Sequence, residues 1–371
     1  MRRRAGGCFL VLLLAAAPLF AQTRAKAENV PDIPFTSVPN FFKLPPDLYF
    51  GEGIGIATNS RGHVFVYTRS GDTRLLEFDQ NGNYVREIGQ GLYGLEFAHA
   101  VRVDREDNVW VVDEGTNMII KFNPQGRVVM VLGRRPEPVA GAFDSTLPPA
   151  PPEKYRFGRP TDVTFDPQGN IFVSDGYVNS RVVKYDKDGR FIKSVGSRGS
   201  APDQMNTPHS IASDAQGNVY VGDRGNARVQ VFDNDLVLRA TYDSVGNPWA
   251  VCVSPPPNQF LFVSNSNPDS NPAASWAITG EIYKMQLDGT IVGKFGKAGK
   301  RLGEFSTVHE IDCRNPNELF VAEISAWRAQ KIILNPRPAS TAGRPSRPFS
   351  SAIPERADTH TKNTTKPKAT K

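Results

Sequence analysis

Three histidines, His99, His209 and His309, stand in matching local sequences: Phe97-Ala-His99-Ala-Val, Pro208-His209-Ser-Ile-Ala and Val308-His309-Glu-Ile. Each precedes a short apolar run. They are three of only five histidines in the chain; His63 falls in an outward turn and His360 near the C-terminus. Three imidazoles that face a common point form a ligand set for Zn²⁺, which takes three protein nitrogens and keeps a further position open when its role is catalytic. One such histidine alone would more simply cap a strand in polar surroundings, so the chemistry depends on the three meeting.

Tyr177, in Ser174-Asp-Gly-Tyr177-Val-Asn-Ser-Arg181, adds a phenol. Beside a divalent cation a phenol ionises more readily, because the ion stabilises the phenolate, and it can then serve as a base toward a nearby hydroxyl. Its plainer reading is an aromatic at a channel mouth. Arg69 and Arg224 offer fixed positive charge for a carboxylate, or else salt bridges between repeats. Asp113, Asp175, Asp223 and Glu323 recur at one position and are read as structural, bonding neighbouring backbone.

The elements that must position these groups are repeats. Ala100-Val-Arg-Val-Asp-Arg-Glu-Asp-Asn-Val-Trp-Val-Val-Asp113, Asp162-Val-Thr-Phe-Asp-Pro-Gln-Gly-Asn-Ile-Phe-Val-Ser-Asp175 and Ser210-Ile-Ala-Ser-Asp-Ala-Gln-Gly-Asn-Val-Tyr-Val-Gly-Asp223 are one unit of strand, polar turn and strand. A first copy starts at Gly55, a weaker fifth at Ala250 and a sixth at Glu310. Period-two alternation of β-branched and aromatic residues with Asp/Gly/Asn turns predicts strands, and no stretch beyond a turn or two has helical periodicity. Six units of four strands predict an all-β, six-bladed β-propeller, which hides sheet edges by radial repetition. The last copy shows three strands, so a strand from about 35–48 is expected to complete it. Insertions at 134–156 and 264–279 should leave from the face that carries the histidines and wall a cleft there. Alternate blades of a six-fold ring stand about 120° apart, which suits three imidazoles around one ion.

Residues 1–21 read as a secretory signal: Arg2, Arg3 and Arg4, an apolar run from Cys8 to Phe20, and Ala21 as a cleavage point. Residues 22–48 form the lead-in, 49–334 the propeller and 335–371 a disordered basic tail rich in Pro, Ser, Thr and Lys. The net charge is +6 overall, but the tail holds +6 and the signal-like segment +3, leaving −3 on 22–334. That balance argues against a nucleic-acid partner. No later run is long enough to span a membrane, so an exported, soluble, monomeric protein is expected, secreted or periplasmic. Export would permit a disulfide, yet Cys252 and Cys313 occupy adjacent phases of neighbouring repeats. Alternation sends them to opposite strand faces, and two buried free thiols are expected.

The segments Arg159-Pro-Thr-Asp-Val, Val173-Ser-Asp-Gly-Tyr-Val-Asn-Ser-Arg, Pro208-His-Ser-Ile-Ala and Gly222-Asp-Arg-Gly-Asn-Ala-Arg-Val-Gln resemble the peptidyl-α-hydroxyglycine α-amidating lyases, within the broader NHL-repeat pattern that runs through 50–334. The resemblance implies zinc held by His99, His209 and His309, with Tyr177 taking the proton of the substrate hydroxyl and Arg69 holding and polarising the substrate. Arg224 matches a further active-site arginine, and Thr307 stands where the family has a methionine in the pocket wall. The resemblance also implies structural calcium on main-chain oxygens of Ile56 and Val101 and the side chain of Glu310, which replaces an aspartate. Val178 stands where a family cysteine would follow the tyrosine. The implied substrate is a small molecule or peptide ending in a carboxylate, cleaved at the N–Cα bond to an amide and glyoxylate. Two other classes fit the repeats: a non-catalytic propeller binding a protein, peptide or glycan, and a calcium-dependent hydrolase or lactonase.

Overall fold

The computed structural model describes residues 25–135, 152–266 and 279–335. The strand β1 (Phe35–Ser37) is followed by a first blade, β2 (Glu52–Thr58), β3 (Val64–Arg69), β4 (Arg74–Phe78) and β5 (Tyr84–Ile88). Blade two is β6 (Ala98–Val103), β7 (Val109–Asp113), β8 (Met118–Phe122) and β9 (Val128–Gly133). Blade three is β10 (Asp162–Phe165), β11 (Ile171–Asp175), β12 (Arg181–Tyr185) and β13 (Phe191–Val195). Blade four is β14 (Pro208–Ser213), β15 (Val219–Asp223), β16 (Arg228–Phe232) and β17 (Leu238–Tyr242). Blade five is β18 (Pro248–Val253), β19 (Leu261–Asn265), β20 (Glu281–Met285) and β21 (Ile291–Phe295). Blade six, β22 (Val308–Asn315), β23 (Glu318–Glu323) and β24 (Arg328–Leu334), is completed by β1, so the protein is a propeller of six four-stranded antiparallel sheets.

The closing strand is shorter than the 35–48 expected. Phe35, Thr36 and Ser37 pair with Leu334, Ile333 and Ile332, and the chain then turns to pack Phe41, Phe42, Leu44 and Phe50 between blades six and one. An N-terminal strand on the C-terminal sheet covers an edge that would otherwise be open.

Local sequence explains the hairpins. Asp104, Asp166 and Asp214 each accept backbone N–H groups two and four residues on, holding the β-turn between first and second strands. The core lies in the layers between blades rather than at the axis. Ile54, Phe65, Tyr67 and Leu75 of blade one meet Val101, Val109, Val111 and Ile120 of blade two, and the same kind of layer recurs between every neighbouring pair of blades.

The cysteines depart from expectation. Cys252 and Cys313 form a disulfide with Cα atoms 6.1 Å apart. Alternation does send them to opposite faces of their strands, but neighbouring blades pack front to back. The front of β18 therefore meets the back of β22 in one layer that holds both residues. Opposite faces of adjacent blades are the ones that touch. The bond closes 61 residues of sequence separation, for which loop-closure entropy gives up to about 4 kcal/mol. Cys252→Ser with Cys313→Ser is expected to lower the unfolding free energy by at most that amount; denaturant titrations of the two proteins check it, and equal midpoints would contradict it.

Among the described residues no helix is long and apolar enough to cross a membrane. The 136–151 part of the first insertion and 267–278 of the second lie outside the described residues, as do the signal-like segment and nearly all of the tail.

Candidate metal centre and active site

The first strand of each blade lines the channel, and its leading end sits beside the trailing end of the second strand on one face. His99, His209 and His309 occupy that leading end in blades two, four and six. Their rings converge with centroids 4.7 Å apart in all three pairings, and one ring nitrogen from each lies within 4.8 Å of the other two. All three are buried.

Each ring is held by the next blade. His99 Nδ1 is 2.5 Å from Thr161 O, His209 Nδ1 2.7 Å from Trp249 O, and His309 Nδ1 2.9 Å from Ile54 O. A carbonyl only accepts, so each Nδ1 carries the proton and each Nε2 presents a lone pair. Those carbonyls belong to the residues at the histidine's own phase in blades three, five and one. The alternation visible in the sequence is thus a pairing of ligand blade with support blade. His209 Nε2 has no hydrogen-bond partner although buried. Orphaned buried acceptors cost free energy, and three lone pairs aimed together fit a cation with imidazole affinity such as zinc.

Burial holds all three imidazoles well below the ordinary histidine range. After burial, the His309 ring and the Arg69 guanidinium push His99 the same way, Arg224 and His99 act on His209, and Arg69 acts on His309. Unfolded histidines protonate near pH 6.5, whereas the folded ones do so only at lower pH. Between those values the unfolded chain binds more protons, so stability rises with pH. Metal-stripped protein is therefore expected to lose stability as pH falls below about 6.5, and the combination His99→Gln, His209→Gln and His309→Gln should flatten that slope. Denaturant midpoints across the range check it; an unchanged slope in the triple variant would assign the effect elsewhere.

Tyr177 stands at the same mouth, its hydroxyl 3.3 Å from His99 Nε2. Gly176 makes this approach possible, because a Cβ there would collide with Pro208 O of blade four. Arg159 and Arg224 lie over the phenol ring with guanidinium carbons 4.8 and 5.4 Å from its centre. Burial raises the phenol's pKa, Arg224 opposes that rise, and Glu114 adds to it. Arg159 adopts a left-handed backbone, φ 58°, as does Thr207 at the same place in blade four, φ 56°. The Arg159 N–H donates to Asn117 Oδ1 and its carbonyl accepts from Tyr177 N.

Arg69 reaches the same region but is partly committed: Nε donates to Glu52 within its own blade at 2.6 Å, Nη1 to Ala98 O of blade two, and the guanidinium covers Phe97. Arg224 rests on Trp249 at 4.3 Å, and among the described residues it forms no ion pair. Thr307 is buried two residues before His309, its hydroxyl 2.9 Å from that of Ser325. The acids at the ends of second strands serve backbone: Asp113 accepts from Glu96, Phe97 and Thr116, Asp175 from Gly158, Asp223 from Asn206 and Glu323 from Ser306.

Two site residues, Glu114 and Arg159, escaped the sequence reading. Glu114 is buried, with Oε1 paired to Arg159 and Oε2 3.6 Å from His99 Nε2 with no hydrogen-bond partner. Burial raises its carboxyl pKa and the Arg159 guanidinium opposes the rise. Phase carried a signal for it, since Glu114 follows Asp113 as Arg224 follows Asp223.

The implied calcium position is built differently. Glu310 Oε2 accepts N–H groups of Ile56 and Val101 at 2.9 and 3.1 Å, and Oε1 faces Arg102 Nε at 3.0 Å. Calcium requires a shell of six to eight oxygens. Oε1 has no hydrogen-bond partner and is met only by the guanidinium charge; a carboxylate that already accepts two N–H groups and faces a cation does not fit that ion.

Residues 157–185 and 205–232 match the NHL repeat. The chain is 29% identical over 308 residues to peptidyl-glycine alpha-amidating monooxygenase B of Xenopus laevis, covering 77% of this chain and 32% of that protein. It is a six-bladed propeller that carries NHL repeats over those residues and resembles the amidating lyases. The propeller is 27% identical over 217 residues to a probable peptidyl-alpha-hydroxyglycine alpha-amidating lyase of Caenorhabditis elegans, covering 52% of this chain and 58% of that one. The chain spans about a third or less of the length of the first curated relatives it matches. A gluconolactonase of Xanthomonas campestris superposes with TM-score 0.54 at 15% identity, covering 84% of this chain and 96% of its own. That likeness concerns the fold alone.

Proposed function

We propose that this NHL propeller is an exported zinc-dependent lyase that cleaves a peptidyl-α-hydroxyglycine, or a similar carbinolamide, to an amide and glyoxylate. The observation that carries the reading is the convergence of His99, His209 and His309 beside the Tyr177 hydroxyl, 3.3 Å from His99 Nε2. Relatives named as amidating lyases support the same reaction class. Export is supported by the Cys252–Cys313 bond, since disulfides persist in oxidising compartments.

A bound zinc ion would polarise the carbinolamide oxygen as a Lewis acid. Tyr177 takes the hydroxyl proton. The O–H electrons become the carbonyl of glyoxylate as the N–Cα bond breaks, and the proton held by Tyr177 passes to the departing amide nitrogen, so the reaction is balanced without a co-reactant. Arg224, free of carboxylate partners among the described residues, receives the substrate carboxylate, and Arg69 adds positive charge from the neighbouring blade. The aromatic faces of Trp249 and Tyr177 fix Arg224 in place. Thr307 belongs to the wall next to His309. The free oxygen of Glu114 accepts a hydrogen bond from the substrate's polar groups.

The test is zinc content together with glyoxylate release from a hydroxyglycine-terminated peptide by the purified protein. Stoichiometric zinc with turnover supports the reading. Protein that carries zinc yet releases no glyoxylate would leave a binding propeller.

A further inference from the structure

Deeper in the channel than the histidines, four side chains tie the inner strands of all six blades together. Glu310 of blade six accepts from Ile56 N of blade one and Val101 N of blade two. Gly55 permits this contact, since a Cβ there would stand 2.8 Å from Glu310 Oε2 and 2.7 Å from Val101 N. Arg102 of blade two donates through Nε and Nη2 to the two oxygens of Asp162 in blade three, at 2.9 and 2.6 Å, and more weakly to Ser210 Oγ of blade four and Ile311 O of blade six. Its Nε also lies 3.0 Å from Glu310 Oε1, an ion pair without a hydrogen bond, since the Nε hydrogen goes to Asp162. Asp162 accepts Ser210 Oγ and Ile211 N of blade four, and Ser210 Oγ accepts Val251 N of blade five.

We propose that the Arg102 guanidinium is the resident cation of this axial site, so that the ring closes at its hub without bound calcium. The residues that the family resemblance assigns to calcium, Ile56, Val101 and Glu310, all lie in this network, but the Glu310 carboxylate is already engaged by the N–H groups of the other two and faces a guanidinium. A guanidinium is permanently charged and planar, and it donates two parallel N–H bonds to one carboxylate, here Asp162, while its charge also faces Glu310. The second negative charge is met by backbone: Ile56 N and Val101 N on Glu310, Val163 N and Ile211 N on Asp162. The inference does not rest on the lyase reading, because its readout is unfolding.

The experiment compares the full chain, treated with EGTA and reloaded with zinc, with and without calcium up to about 5 mM, above the ~10⁻⁴–10⁻³ M range in which extracellular calcium modules load. The thermal midpoint of the natural protein is expected to be unchanged by calcium, while Arg102→Ser unfolds at lower temperature and is restored by calcium in a saturable manner that magnesium does not reproduce. A midpoint of the natural protein that climbs with calcium would overturn the proposal. So would an Arg102→Ser protein that is weakened but indifferent to calcium, which would reduce the guanidinium to an ordinary salt bridge. If Arg102→Ser does not accumulate in folded form, the calcium titration of the natural protein decides the matter.

Discussion

Tyr177→Phe is expected to lower kcat by about 10²–10⁴-fold, the usual contribution of one general acid–base group, while zinc content stays at its natural level. Phenylalanine keeps the ring between Arg159 and Arg224 and against the His99 and His209 edges. It removes only the oxygen that stands 3.3 Å from His99 Nε2. Since the surrounding protein raises the phenol's pKa through burial, the proton can leave near neutrality only with help from a cation and the nearby arginines. The acidic limb of the pH–rate profile should therefore depend on which metal is loaded. Glyoxylate release at the natural rate by Tyr177→Phe would remove this residue from the chemistry.

His209→Ala is expected to weaken metal affinity by more than the about 10–100-fold typical of losing an outer partner of a metal ligand. His209 Nε2 is the buried ring nitrogen without any partner in the protein, so its removal deletes a donor and disturbs no hydrogen bond except that to Trp249 O. Competition with a chromophoric chelator measures the affinity, and circular dichroism verifies the propeller. Natural affinity in a folded His209→Ala protein would mean that the three imidazoles do not act as one ligand set.

Both expectations draw on groups that the sequence placed on one face of the ring. The period of the blade is short and strictly repeated, so the phases of His99, His209 and His309 could be read before any coordinates, and Tyr177 followed from its position after a second strand. The support for the rings was half visible. Ile54, Thr161 and Trp249 stood out as the same phase in the intervening blades, but that their carbonyls would take the Nδ1 protons required backbone geometry. The closing strand was anticipated and its length overestimated, because Phe41, Phe42 and Phe50 leave the sheet to pack against the apolar layer between blades six and one.

Other features were set by contacts between repeats. Alternation along β18 and β22 correctly separates Cys252 from Cys313 by strand face, and the front-to-back stacking of blades then brings those faces together. Glu114 and Arg159 are far apart in sequence and belong to different blades, so neither suggested the other. Nothing in Ala100-Val-Arg-Val marks Arg102, and only the closed hub brings both Asp162 and Glu310 up to its guanidinium.

The chain's own order of residues determined that there would be strands, how many blades they make and which side chains recur at the channel mouth, because strand period and turn chemistry are local. What the side chains meet there was decided by closure of the ring. Joining six sheets around an axis puts residues a hundred or more positions apart within bonding distance, and no local rule carries that information.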